Sequence, residues 1–363
     1  MMRRLLAAAL CLLALLSGQL ARAENDGDCV FTLLDADGQA LTQRAGRMYV
    51  GDEYIASDDR CYRIVSVDDA KLTAVAEYTD SPEDEISPNL LAAAVGTATA
   101  EPTGGSGKKL ICMYSTHSDE SYVPDDGTES KWKNAGIYDV GESLKHALEA
   151  LGIDAVYSRE TFLPHDADAY TRSRRTAEEL LKKGPDALID VHRDAVPANQ
   201  YETKVDGDDV SKVRLFVGRS NPNAAANKAF ARQLKAAADE AYPGLVKDIF
   251  IGRGNYNQEL YPHAILLEFG THEIDKDKAI ASTKYMANVL NAVLYGGAAS
   301  GTGRGAGLKS AMKGAGWAVL ALAVAAAAYA LLATGSGRAA AHKLRRNFSE
   351  LTGGLFGDRH PRD

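Results

Sequence analysis

The chain of 363 residues is long enough for two domains, and its 45% hydrophobic content excludes a largely disordered protein. Lys plus Arg number 41 against 49 for Asp plus Glu, so the formal net charge of -8 creates no global field that would attract nucleic acid, and that partner class is set aside. The four cysteines, at positions 11, 29, 61 and 112, form no CxxC and no close Cys/His pairing, which excludes a zinc ribbon or an iron–sulfur site and leaves histidines and carboxylates to hold any metal.

Residues 1–23 carry Arg3 and Arg4, then an apolar run from Leu5 to Leu16, then Ala21-Arg22-Ala23. That order is expected of a cleaved secretory signal peptide, the run being short for a membrane span. Residues 24–80 hold short strand-like runs, CVFTLLD, RMYVGDEYIA and CYRIVSVD, separated by Asp/Gly turns, and are expected to form a small β module. Cys29 and Cys61 bracket it, either as a disulfide of an exported protein or as two unlinked thiols. Residues 81–108, rich in Ser, Pro, Glu, Thr, Ala and Gly, are expected to be a linker.

From Leu110 the pattern changes to strands alternating with helices. LICMYS is an apolar run; GIYDVGESLKHALEALG is an amphipathic helix with Val140, Leu144, Leu148 and Leu151 on one face and Gly152 at its end. IDAVYSR, the helix YTRSRRTAEELLKKG, then ALIDVHR, VRLFVGR, the long helix PNAAANKAFARQLKAAADEAY, DIFIGR, AILLEFGT and a closing helix to about Tyr295 follow. Such alternation predicts an α/β fold for residues 109–295, a mostly parallel open sheet with helices on both faces. Residues 296–314 read as a Gly-rich linker. Residues 315–335 lie in the charge-free stretch between Lys313 and Arg338 and are expected to be a transmembrane helix, with the basic residues 336–363 as a short cytoplasmic tail. The expected layout is single-pass at the cell membrane, the α/β domain on the extracytoplasmic face.

Three apolar strands end in groups that bind metals or move protons. LICMYST runs into His117 with Glu120 three residues on, ALIDV into His192, Arg193 and Asp194, and AILL into Glu268. Sites of open α/β sheets form outside the carboxyl ends of the strands, so the three segments are expected to converge. Two histidines and one glutamate make the three-ligand set of a catalytic zinc, and a further carboxylate beside the water serves as general base and acid, which is the place of Glu268. Arg193, Arg159, Arg219 and Arg253 sit at or near strand ends, where guanidinium groups either bind substrate carboxylates or pair with Asp190, Asp194 or Glu160.

The blocks His117–Tyr122 (HSDESY), Ile189–Asp194 (IDVHRD), Gly254–Leu260 (GNYNQEL) and Leu266–Gly270 (LLEFG) resemble, in order, the signature blocks of the stage II sporulation protein P family of zinc-dependent N-acetylmuramoyl-L-alanine amidases. The resemblance covers roughly residues 109–295. It implies a zinc ion held by His117, Glu120 and His192, with Glu129 as the alternative third ligand, Glu268 as the catalytic residue, and Arg193, Asp194, His165 and Asn257 at the substrate. It further implies a peptidoglycan hydrolase that works beside other sporulation or wall-remodelling proteins; members of that family are usually held to the membrane by an N-terminal helix, whereas here the tether is expected at the C-terminal apolar stretch. A zinc endo- or carboxypeptidase acting on the stem peptide, or an inactive wall-binding module, are the alternatives. His263 and His272, which flank the Glu268 strand, are read as loop residues.

Overall fold

A computed structural model describes residues 29–79 and 108–297, all within one unit, Met1–Gly303. The signal peptide, nearly all of the first linker, the transmembrane helix and the tail expected above lie outside the described residues. Among the described residues no helix is long and apolar enough to cross a membrane.

The N-terminal segment forms β1 (Val30–Leu34), β2 (Ala40–Ala45), β3 (Glu53–Ile55), β4 (Cys61–Asp68) and β5 (Thr73–Thr79). After it come β6 (Leu110–Tyr114), a single turn α1 (Val123–Asp126), α2 (Gly136–Ala150), β7 (Asp154–Tyr157), α3 (Ala169–Leu181) and β8 (Ala187–Asp194). The hairpin of β9 (Glu202–Val205) and β10 (Asp208–Ser211) precedes β11 (Val213–Gly218), α4 (Ala224–Ala241), β12 (Val246–Gly252), β13 (Ala264–Thr271) and α5 (Lys276–Tyr295). The α/β alternation expected after Leu110 is present. Two strands in the N-terminal segment, β2 and β5, and the β9–β10 hairpin were not expected: β2 and the hairpin strands are polar along much of their length, and the buried positions of β5 are only alanines.

Eleven strands form one sheet in the order β2-β1-β5-β4-β3-β12-β11-β13-β8-β6-β7. From β12 to β7 every neighbouring pair is parallel except β11 with β13. The expectation of a mostly parallel sheet therefore holds for that half and is corrected for the whole, which is mixed: the N-terminal strands pair antiparallel apart from β1 with β5. They are joined to the rest through β3 on β12, so the segment expected to be a small β module continues the same sheet.

The sheet is open, with β2 and β7 as its edges, but it curls until β2 lies over the middle strands: Arg214 Nη2 on β11 donates to Thr42 Oγ1 at 2.8 Å and to the Gln43 carbonyl at 2.9 Å, and Ala45 N donates to Asp194 Oδ1 at 3.3 Å. Phe31, Leu33, Tyr54, Ile64 and Ala76 of the N-terminal strands share a core with Phe216, Phe250 and Leu266.

Strand alternation sorts the two faces. Ile111, Met113, Ile189, Val191, Ile265 and Leu267 point to one side and bury α2, α4 and α5. Cys112, Tyr114, Leu188 and Ala264 point to the other and pack with Ala177 and Leu180 of α3. Helix α2 docks through Val140, Leu144 and Leu148, four residues apart and fully buried, and stops at Gly152, which takes φ +73° as Ile153 N bonds back to the Leu148 carbonyl. Cys29 and Cys61 are free thiols. Cys29 packs beside the N-terminal core, while Cys61 belongs to the helix-bearing side and contacts Asp59 and Arg232, so the disulfide alternative is not what forms.

Candidate metal centre

The site grows from one row of the sheet. Asp248 on β12, Arg214 on β11, Glu268 on β13 and His192 on β8 stand in direct register, each opposite the next, so all four share the face away from α2 and α5. Along β8 the same alternation places Asp190, His192 and Asp194 on that face. A bulge follows Glu268, where Gly270 takes φ +79° and an added Cβ would collide with Ile274. Bulges of this kind re-aim a neighbouring side chain.

His117 and Glu120 come from the loop after β6. That loop is held by its own backbone, with Glu120 N bonded to the His117 carbonyl, the Glu120 carbonyl to Ile137 N, and a bridge between Glu120 and Ser130. The Nδ1 atoms of His192 and His117 lie 3.2 Å and 3.4 Å from Glu120 Oε1, and one ligand atom from each of the three residues lies within 4.8 Å of the others. A tetrahedral ion with bonds of about 2.0–2.1 Å sets its ligand atoms about 3.3 Å apart, so this donor set fits zinc. Glu120 Oε2 accepts the Arg193 amide at 2.9 Å, which fixes the carboxylate. Behind His192, Asp190 Oδ1 lies 2.9 Å from Nε2, too oblique for a directed hydrogen bond but close in charge. Asp190 is itself held by Thr116 through N at 2.8 Å and Oγ1 at 2.6 Å. A carboxylate behind a ligating imidazole orients the ring and raises its basicity.

Electrostatics suit a cation. Burial pushes the His117 imidazole down to about 4, so it stands neutral with a free lone pair at neutral pH. Burial works to raise Glu120, but the charge of His192 and bonds from both imidazoles outweigh it and hold the carboxyl well below its usual range. His192 is held well above its usual value, burial being outweighed by Asp190 and Glu120. Glu268 is raised to about 8, first by burial and then by the negative charge of Asp194. Its Oε2 is enclosed without a hydrogen-bond partner, and among the described residues it makes no ion pair, because Arg214 is committed elsewhere. His117, Glu120, His192 and Glu268 all line one cleft of about 540 Å³.

The other expected site residues fall into different places. Glu129 lines the cleft on the loop after α1, its side chain 66% exposed and 4.0 Å from His272 Nε2, outside the cluster of ligand atoms. His165 reaches the cleft, stacked on His117 with ring centres 3.9 Å apart; its acidic partner is Asp119, 3.0 Å from Nδ1, while the neighbouring Asp166 is taken by Arg172. Arg193 lies behind Glu120, its guanidinium spent on the carbonyls of Ser121, Glu129 and Asp194. Asp194 accepts from Arg214, Tyr201 and Ala195 N. Asn257 is the clearest departure: it is buried away from the cleft, and its Nδ2 bonds the Tyr170 carbonyl and Ser173 Oγ of α3.

Arg159 pairs with Glu142 and Arg219 with the buried Asp52, whereas Arg253 has neither Asp190, Asp194 nor Glu160 as partner. His263 lies at the opening end of β13, half-buried against Phe230, remote from the ligand triad at the strand's other end. Missed from the sequence were Asp190 and Thr116, which support His192, and the cleft residues Arg44, Arg47 and Tyr49. The alternation D190-V-H192 carried a signal for the first; nothing local marked the others.

The family model for Stage II sporulation protein P (SpoIIP) matches residues 40–291, from β2 to α5, and the chain belongs to that family. Stage II sporulation protein P of Bacillus subtilis (strain 168) is 28% identical over 207 residues, which are 52% of this chain and 52% of that protein, so the chain spans about half the length of the curated relative it matches. Among solved structures, the N-acetylmuramyl-L-alanine amidase Ami1 of Mycobacterium abscessus is similar at 16% identity and TM-score 0.34 over 52% of this chain and 98% of its own. The N-acetylmuramoyl-L-alanine amidase of Clostridium difficile 630 is similar at 16% identity and TM-score 0.34 over 53% of this chain and 97% of its own.

Proposed function

We propose that this protein is a zinc-dependent N-acetylmuramoyl-L-alanine amidase that hydrolyses the bond between N-acetylmuramic acid and L-alanine in peptidoglycan, in the sporulation setting its family name gives. The observation that carries this reading is the convergence of two imidazoles and a carboxylate, from segments 72 residues apart, beside the unpaired carboxyl of Glu268 on one cleft. His117, Glu120 and His192 are the residues that would hold the ion. Zinc, when bound, supplies Lewis acidity: it polarises a carbonyl and brings the pKa of water toward neutrality.

The remaining work belongs to the chain. Asp190 and Thr116 keep the His192 ring aimed, and the Arg193 amide keeps Glu120 from turning away. Glu268 has no competing partner, and a cation held beside it would favour its ionised form, so it would take the proton of the attacking water and hand it to the departing alanine nitrogen as the lactyl carbonyl is hydrolysed. His165, stacked on His117 and bonded to Asp119, presents its other ring edge to the cleft as a substrate contact. The same reading anchors the protein at the cell membrane through residues 315–335, with the cleft on the extracytoplasmic face, where peptidoglycan lies and other sporulation or wall-remodelling proteins would meet it.

The test is metal analysis of the purified protein followed by product analysis on muropeptides. One zinc per chain with release of the intact stem peptide is expected. Release of a single terminal amino acid, or of stem-peptide fragments alone, would replace the amidase with a peptidase, and a metal-free, inactive protein would leave only a wall-binding role.

A further inference from the structure

Beyond the metal triad and Glu268, the cleft is lined by the end of β2 with the turn after it, and by the segment after β12. Five arginines reach it: Arg44, Arg47, Arg193, Arg214 and Arg253. Three are fully engaged. Arg214 is bonded by Asp194 and Asp248, Arg193 by backbone carbonyls, and Arg47 by both carboxylate oxygens of Asp69 at 2.8 Å and 2.7 Å.

Arg44 and Arg253 differ. Among the described residues neither has a carboxylate within ion-pair distance. Asp52 feels the charge of Arg44 but is itself bonded by Arg219 Nε and Tyr49 N, both at 2.9 Å. The cleft carboxylates Asp119, Asp166 and Asp194 are bonded by His165, Arg172 and Arg214.

These two guanidiniums are positioned, not trailing in solvent. Arg44 Nη1 donates to the Arg47 carbonyl at 2.6 Å, and its central carbon lies 5.0 Å and 5.1 Å from the ring centres of Phe216 and Phe250. Arg253 lies 5.1 Å from the Tyr49 ring, and its carbonyl accepts the Tyr256 hydroxyl at 2.8 Å; Tyr256 in turn packs edge-on against Phe216 with centres 4.9 Å apart. A guanidinium laid on an aromatic face keeps its in-plane N–H groups for a second partner, and a planar carboxylate is the partner that fits the fork.

We propose that Arg44 and Arg253 form a carboxylate-binding subsite in the cleft, which takes a carboxylate of the peptide on the amine side of the scissile bond. It rests on the amidase reading for the identity of that peptide as the stem. It makes the N-terminal strands a specificity element: β2 brings Arg44 to the cleft, and Arg253, beyond β12 in the α/β half, completes the pair.

The experiment measures binding, not turnover. The full-length protein is titrated calorimetrically with a stem peptide whose carboxylates are free and with the same peptide amidated at those groups, using the parent, Arg253→Gln, Arg44→Gln and Arg44→Lys. The parent is expected to favour the free peptide, and each Gln variant to weaken it on the order of tenfold and to add no further loss for the amidated one. Arg44→Lys, which keeps charge but not the fork, should fall between. Arg253 is exposed, so its variant tests the subsite even if Arg44→Gln disturbs the Phe216–Phe250 contact and fails to fold. Equal binding of the two peptides by the parent, or unchanged preference in Arg253→Gln, overturns the subsite. If the preference disappears as expected yet no intact stem peptide is released from muropeptides, the subsite stands and the amidase reading falls; the reverse pattern removes the subsite alone.

Discussion

Two buried charged clusters lie side by side on the same sheet row, and they are built differently. In the Arg214 cluster nearly every polar atom is answered: Arg214 donates to Asp248 at 2.7 Å and 3.0 Å, to Asp194 at 2.9 Å, to Thr42 and to the Gln43 carbonyl, while Lys247 donates to Asp248 at 2.9 Å and Thr42 at 2.6 Å. Further along the row, at β13 and β8, the His117–Glu120–His192 cluster crowds three electron-pair donors together and leaves Glu268 Oε2 without any partner. A saturated polar network rigidifies a fold, whereas convergent donors with unmet bonding capacity are the arrangement a ligand completes. The Arg214 cluster also crosses from the α/β half to β2, so it fastens the N-terminal strands over the cleft.

This contrast can be broken or sharpened by mutation, the largest effect falling on the metal cluster. His192→Ala or His117→Ala is expected to abolish zinc retention and with it detectable turnover, since one of three protein ligands is gone; full zinc occupancy in either variant, measured by atomic absorption, removes that residue from the ligand set. Glu268→Gln preserves shape and removes the proton carrier, so turnover should fall by roughly 10² to 10⁴ while zinc content stays at the parent level. A Gln variant that keeps its turnover and loses thermal stability would mean that Glu268 belongs with the structural network after all.

On the other side of the row, Arg214→Met leaves Asp194 buried without a cation and Asp248 with Lys247 alone, and a loss of about 3–5 kcal/mol in urea unfolding is expected. The folded fraction should still bind zinc; loss of metal with no loss of stability would dissolve the distinction between the clusters. Asp190→Asn lies between the two roles. It keeps the packing but withdraws the charge behind His192, so zinc affinity in a competition titration should drop about 10- to 100-fold with little change in stability.

The smallest effect is on pH dependence in chelator-treated protein. With its pKa raised from 4.5 to about 8, Glu268 holds its proton more tightly folded than unfolded, so its contribution is fully present below 4.5 and is lost as pH rises through 8. His117, lowered from 6.5 to about 4, acts oppositely but only below 6.5. Between pH 6.5 and 8 the parent should therefore lose stability more steeply than Glu268→Gln; parallel curves would show that burial does not hold that proton.

Much of the α/β half was legible in the residues. The four-residue spacing of Val140, Leu144 and Leu148 and the apolar runs at 110–114, 187–191 and 264–267 reported their elements because each buries a face against its chain neighbours. The strand-end residues His117, His192 and Glu268 were visible because a polar group at the end of an apolar run stands out from its surroundings. Asn257 was misread for the complementary reason: its motif is conspicuous, but an amide that satisfies α3 carbonyls looks the same in sequence as one that meets a substrate.

What the chain by itself determined is thus the set of elements and the kinds of group at their ends, since periodicity and residue chemistry are local. Only the tertiary structure decided that Glu120, not Glu129, lies with the two imidazoles, and that β3 pairs with β12 some two hundred positions later and so carries Arg44 to the cleft. The physical reason is that the curl of a sheet and the partner of an edge strand follow from burial between distant segments, here Phe31, Leu33 and Tyr54 against Phe216 and Phe250, and no window of sequence contains both sides of that contact.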